Sequence, residues 1–153
     1  MNPAIKTPQT TGTMGLLSQL NRVVYRRATE DVLGMKLKQL ITLELLANKE
    51  GCLQQELGAT LMIDPNNCVL LLNDLDERGY VERQRDPRDR RRHIVVITAD
   101  GLKALDKAQD KLEALEGEVL ANLDEDERGR LRDLLAHAME GQDGSVDVSC
   151  LEE

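Results

Sequence analysis

The sequence predicts a mainly α fold with one small β-hairpin, arranged as a winged helix-turn-helix flanked by long helices that form a dimerisation region. Three observations predict it. Most of the 153 residues fall in segments whose apolar positions recur three and four apart. One of these segments has both ends written in the sequence, with Asp64-Pro65 at its start and Gly79 at its stop. Directly after that stop come two short strand-like runs around a charged tip that contains a proline.

The elements follow in order. Met1 to Thr13 is polar and Thr-rich, and residues 1–13 are expected to be disordered. Residues 14–33 predict one long helix, with Leu16, Leu17, Leu20, Val23, Val24, Ala28 and Val32 at helical spacing and Gly34 as its end. Residues 37–48 predict a second, largely apolar helix, and residues 54–61 a short third one centred on Leu57 and Leu61. Between those two helices, Cys52 falls in an expected loop. In the helix from Pro65 to Gly79, Cys68, Leu71, Leu72 and Leu75 stand at i, i+3, i+4 and i+7. They form the buried stripe, which turns Asn66, Asn67, Val69, Leu70 and Asn73 elsewhere.

Tyr80 to Arg85 and the β-branched run Ile94 to Thr98 predict the two strands of the hairpin, with residues 86–92 as its exposed tip. Thr98 then caps a helix expected to run from Ala99 to about Leu123. Its Leu105, Ala108, Leu112, Leu115 and Val119 read as a coiled-coil-like seam for a partner helix. Asp124 and Glu127 have capping-box spacing and open a last helix carrying Leu131, Leu134, Leu135, Ala138 and Met139. Residues 141–153 are expected to be a mobile acidic tail. The expected organisation is a winged helix-turn-helix unit over 35–98 between helical dimerisation segments at 14–34 and 99–140.

Composition narrows the function. The only aromatics are Tyr25 and Tyr80, which disfavours nucleic-acid sites built on stacking. Three cysteines, an odd count, argue against a disulfide framework and for a reduced, cytoplasmic setting. No run approaches a membrane span, and the N-terminus has no apolar core of a signal peptide. The net charge of −8 is unevenly spread: residues 78–93 hold seven arginines and three acids, net +4, whereas residues 99–153 are net −10. A compact arginine patch inside an acidic chain points to an anionic partner at one place.

Short helix, turn, capped helix and charged hairpin in direct succession are the parts of a helix-turn-helix with a wing, whose second helix enters the major groove. At this point the sequence resembles the MarR (multiple antibiotic resistance regulator) transcription factors over roughly residues 14–140. The most specific part is Ile63-Asp64-Pro65 to Leu75, followed by Glu77-Arg78-Gly79-Tyr80-Val81-Glu82-Arg83. Asp86-Pro87-Arg88-Asp89-Arg90-Arg91 and Ile97-Thr98-Ala99-Asp100-Gly101 complete it. The resemblance implies a winged-helix homodimer, joined through its terminal helices, that binds pseudo-palindromic double-stranded operators and is released by small ligands or oxidants. It also implies that Asp89 positions an arginine, Arg91.

The family commonly has Ser-Thr at the start of the reader helix, Arg at the place of Leu70 and a basic residue at the place of Asp74. The chain has Asn66 and Asn67 there. Asn pairs with adenine and apolar side chains meet the thymine methyl. Asn66, Asn67, Val69, Leu70 and Asn73 are thus expected to make A·T-leaning contacts. Arg88, Arg90 and Arg91 are expected to reach phosphate or the minor groove, with Arg83 and Arg85 beside the backbone.

Leu16 and Leu20, Leu105, Leu112, Leu115 and Val119, and Leu131, Leu134 and Leu135 are the expected dimerisation residues. Arg22, Tyr25 and Arg26 are the candidate effector pocket, where an arginine would hold a carboxylate or phenolate. Cys68 reads as a small core residue and Cys150 as incidental to the tail. His93 and His137 are scattered, and no metal or cofactor is expected. No phosphate loop or nucleophile elbow supports an enzyme. The expected function is that of a transcriptional regulator, a repressor, whose small-molecule effector the sequence does not identify. The alternative is a winged helix that binds proteins and not DNA, suggested by Leu70-Leu71-Leu72 and the acidic surroundings.

Overall fold

The computed structural model describes residues 12–145 and Val148. Residues 1–11, 146–147 and 149–153, Cys150 among them, for which expectations were stated, lie outside the described residues. The elements are α1 (Thr13–Arg27), α2 (Glu30–Leu33), α3 (Leu37–Ala47), β1 (Cys52–Leu53), α4 (Gln54–Thr60), α5 (Pro65–Glu77), β2 (Val81–Arg85), β3 (His93–Ile97), α6 (Ala99–Val119) and α7 (Glu125–Met139). The mainly α fold with a hairpin wing is the one the sequence predicts.

The core forms where α3, α4 and α5 pack under the sheet. Leu40, Leu43, Leu46, Leu57, Leu61, Leu72, Leu75, Val81 and Val95 are all essentially inaccessible to solvent. At about 25 cal/mol per Å2 of apolar surface, each leucine contributes on the order of 2 kcal/mol. The stripe on α5 is buried as its spacing demands, with Cys68, Leu71, Leu72 and Leu75 inside. The wing is an antiparallel pair in which Val81 faces Ile97 and Arg85 faces His93.

Several expectations are corrected. Residues 14–33 are not one helix: α1 stops at Arg27, the chain bends at Ala28, and α2 begins after Thr29. Ala28, at the bend, is buried in the core. Cys52 is not in a loop. It pairs with Val95 in β1, which joins the far side of β3 to give a sheet of order β1-β3-β2. Two residues are too short a run to show period-two alternation, so the strand is invisible in sequence. The helix after Thr98 ends at Val119 rather than Leu123.

The seam on α6 is also reassigned. Leu105, Ala108 and Leu115 are buried inside the single chain, and Leu112 and Val119 pack against the same core. Their partners within the chain are α1, α2 and α3, while Leu112 and Val119 stay partly exposed. By contrast, α1 and α7 bury no residue. Leu16, Leu134 and Leu135 are exposed, and Leu20 and Leu131 are half-buried.

The tail is not wholly free either. Val148 is buried, and its backbone N–H donates to the Leu61 carbonyl over 3.2 Å. Among the described residues, no helix is long and apolar enough to cross a membrane.

Candidate nucleic-acid interface

The site is built on α5 and the wing. Asp64 caps α5 by accepting from the Asn67 backbone N–H at 2.9 Å, and its second oxygen accepts from the Asn67 side chain at 2.6 Å. The cap satisfies an amide that the first turn leaves without a helical partner and fixes the start of the helix. α4 meets α5 where Gly58 lies against the Cys68 side chain. The turn between them places Met62 at φ 55°, left-handed backbone seldom used outside glycine. On the outer face of α5, Asn66, Asn67 and Val69 are exposed, Leu70 is 65% exposed, and Asn73 is half-buried. The expected reader residues therefore share one accessible face.

Gly79 ends α5 at φ 77°, a conformation that suits glycine, and Tyr80 then turns the chain into β2. The Thr98 hydroxyl donates to the Gly79 carbonyl at 2.6 Å and accepts from the Gly101 N–H at 3.0 Å. One side chain thus joins the end of α5 to the start of α6. A Cβ on Gly101 would collide with the Tyr80 carbonyl oxygen. That close approach is the physical content of the Thr98-Ala99-Asp100-Gly101 run.

The wing tip is organised by two carboxylates. Asp86 accepts from the Arg88 N–H at 2.9 Å. Asp89 accepts from the Arg91 N–H at 3.1 Å and from Arg91 Nε at 3.2 Å. The Arg91 backbone hydrogen bond, then its side chain, pull the Asp89 carboxyl below the usual aspartate range. The sign follows: this contribution to wing order is present above the ordinary aspartate pKa and is lost as pH falls through the lowered one. The Asp89–Arg91 pairing that the family resemblance implies is present, while the Arg91 side chain stays 92% exposed. Arg85, Arg88 and Arg90 are exposed and form no salt bridge among the described residues.

Two arginines of the basic patch are engaged elsewhere. Arg83 pairs with Asp76 at 3.1 Å. Arg78 pairs with Glu30 at 2.7 Å and approaches Asp74 at 3.9 Å, and the Glu30 hydrogen bond holds its guanidinium more firmly in the charged form. Asp74 in turn accepts from the side-chain amide of Gln39, a fully buried residue whose carbonyl oxygen caps the Lys36 N–H at 3.0 Å. Sequence reasoning missed this inward role of Asp74. Its only signal was an acid on a helix otherwise suited to approaching DNA.

The expected effector residues Arg22, Tyr25 and Arg26 are all exposed on α1. The other side of α1 contributes Leu20, Asn21 and Val24 to a cleft of about 610 Å3 shared with α6 and α7. Cys52 and Cys68 are buried free thiols, and burial pushes both above their ordinary pKa. Among the described residues, no cluster of His, Cys, Asp or Glu could hold a metal ion.

Comparison with known proteins places this geometry. The family model for the MarR family matches residues 33–92. A Clostridium symbiosum protein, HTH-type transcriptional regulator BilQ, is 31% identical over 102 residues, which are 67% of this chain and 71% of that protein. A Thauera aromatica protein named as a regulator of the hcr operon is 32% identical over 93 residues, 61% of this chain and 56% of its own length. The chain thus spans little more than half of that relative.

Among solved structures, MarR superposes with a TM-score of 0.75 at 26% identity, covering 88% of this chain and 92% of MarR. A mutant MarR from E. coli complexed with operator DNA shares the fold at a TM-score of 0.64 and 24% identity, covering 81% and 91%. The class the fold and site define is the winged helix-turn-helix. The chain belongs to the MarR family of transcriptional regulators.

Proposed function

We propose that two copies of this chain bind a pseudo-palindromic stretch of double-stranded DNA and repress transcription from it, with release by a small ligand. The observation that carries the reading is the pairing of an accessible α5 face with an exposed arginine tip beside it, in an otherwise acidic chain. In this reading α5 enters the major groove. Asn66, Asn67, Val69, Leu70 and Asn73 meet A·T-rich base edges there. Arg88, Arg90 and Arg91 then follow the backbone into the flanking minor groove, and Asp89 holds Arg91 in place. Arg85, exposed at the end of β2, adds a phosphate contact, whereas Arg83 must first leave Asp76. The mutant E. coli MarR crystallised with operator DNA supports the choice of partner.

The unburied apolar faces of α1 and α7 support the homodimer, through Leu16, Leu20, Leu131, Leu134 and Leu135. Two-fold symmetry then sets half-sites about one turn of DNA apart, on the order of 34 Å. The experiment is electrophoretic mobility shift with the DNA upstream of the coding region, followed by footprinting. A protected inverted repeat is the expected result. The exposure of Leu70 favours a second reading, a protein-binding winged helix. Failure to shift any upstream fragment at low salt would select it.

A further inference from the structure

Adjacent major and minor grooves of a duplex are separated by one sugar-phosphate strand. A subunit that sets a helix in one groove and a wing in the next must straddle that strand, so the surface between helix and wing faces phosphate. In this chain that surface is a cleft of about 520 Å3. Val69 of α5 and Arg91 of the wing both line it, and so do Gln54, Gln55, Arg92 and His93.

The short strand β1 brings these residues together. Its register pairs Leu53 with Ile94, and one step further along the same ladder the chain at Gln54 comes beside His93. On its other side His93 pairs with Arg85 of β2. The Cys68 thiol donates to the Gln54 carbonyl at 3.8 Å, which ties the first turn of α4 to α5 as well. Gln54 is half-buried, whereas Gln55, Arg92 and His93 are exposed.

The side chains suit a phosphodiester oxygen. Among the described residues that line the cleft none is acidic, and Glu56, the one acid of α4, is not among them. Arg91 and Arg92 share a single carboxylate, Asp89, at 3.2 and 3.8 Å, which leaves two guanidinium groups against one acid. Gln54 and Gln55 supply amide N–H donors and His93 a ring N–H. Donors of these kinds hold phosphate without reading sequence.

We infer that this cleft seats the phosphate strand between the two grooves, with Gln54, Gln55, Arg92 and His93 as backbone contacts additional to those of the wing tip. The inference rests on the DNA-binding reading above. A strand held from α4 and from the wing at once fixes how α5 lies on the duplex. These residues therefore set register and affinity and leave base preference unchanged.

Two variants of the full chain test it. Gln55→Glu puts a carboxylate into the cleft from an exposed helical position, and Arg92→Gln removes one charge while keeping the backbone hydrogen bonds of the tip. On duplex fragments of the chain's own upstream region at about 50 mM salt, Gln55→Glu should weaken binding roughly tenfold or more, and Arg92→Gln should shrink the slope of log K against log salt by about one per subunit. Ethylation of single phosphates locates the contact. In the parent, interference is expected on the strand between the major groove of the half-site and the flanking minor groove. In a Gln55→Ala, Arg92→Gln double variant it should fade there and persist elsewhere. Parent interference confined to other phosphates, or Gln55→Glu affinity within about twofold of the parent at low salt, overturns the inference. Should Arg92→Gln lower the unfolding midpoint, Gln55→Glu and the parent interference pattern decide. If the parent binds no upstream duplex, the DNA-binding reading falls and the cleft assignment with it. If the parent binds and Gln55→Glu binds equally well, the cleft assignment falls alone.

Discussion

Asp74 lies on α5, yet its carboxylate is turned inward to the amide of Gln39 and toward Arg78. Removing it strands a buried donor, so Asp74→Ala should destabilise the fold by about 1–3 kcal/mol in urea unfolding. A variant as stable as the parent would show that Gln39 finds another acceptor. Nothing in the spacing of α5 distinguishes such an inward acid from an outward one, because position 74 sits at the margin of the buried stripe. The caps were legible for the opposite reason: Asp64, Thr98 and Asp124 act within three residues of themselves, and all three accept the expected backbone N–H. Asp89 and Arg91 are likewise two residues apart and could be paired from the resemblance. Cys52 and Cys68 are governed by burial. Both should react slowly with iodoacetamide at pH of about 8 while the protein is folded, and quickly in denaturant. Rapid native labelling of either would contradict the burial described above.

Among the elements, α6 shows where periodicity stops being informative. A stripe at three-four spacing states that a helix has one apolar face, and it is silent on whether the partner belongs to the same chain. Leu105, Ala108 and Leu115 are filled from within, against α1, α2 and α3, and the helices that bury no residue are α1 and α7. The start of α6 depends on Gly101, whose missing Cβ lets the helix pass the Tyr80 carbonyl. Gly101→Ala should therefore cost at least about 1–3 kcal/mol, despite the better helix propensity of alanine. Equilibrium urea unfolding measures it, and a neutral result would mean that the Tyr80 turn can shift freely. The bend at Ala28 and the two-residue β1 were beyond sequence reasoning because both are set by tertiary packing. α5 and the wing were legible because their ends carry local signals, namely Asp64-Pro65, Gly79 and the charged tip.

At the scale of the whole molecule, the charge of −8 separates into regions with different tasks. The net of +4 over residues 78–93 overstates what is available to DNA, since Arg78 and Arg83 are occupied by Glu30 and Asp76. The exposed arginines Arg85, Arg88, Arg90 and Arg91 are concentrated at the wing, and a dimer would present them twice. If α1 and α7 join the subunits, replacing Leu134 and Leu135 together by Glu should yield monomers in sedimentation at micromolar concentration. Operator affinity should fall by at least about a hundredfold, because each half-site would then bind alone. A double variant that stays dimeric would move the interface elsewhere. Contact between the arginine wing and DNA phosphate is read out by the salt dependence of affinity for the upstream duplex. For Arg91→Ala the slope of log K against log salt should shrink by about one per subunit, with affinity weakened on every sequence. An unchanged slope with intact binding would contradict it.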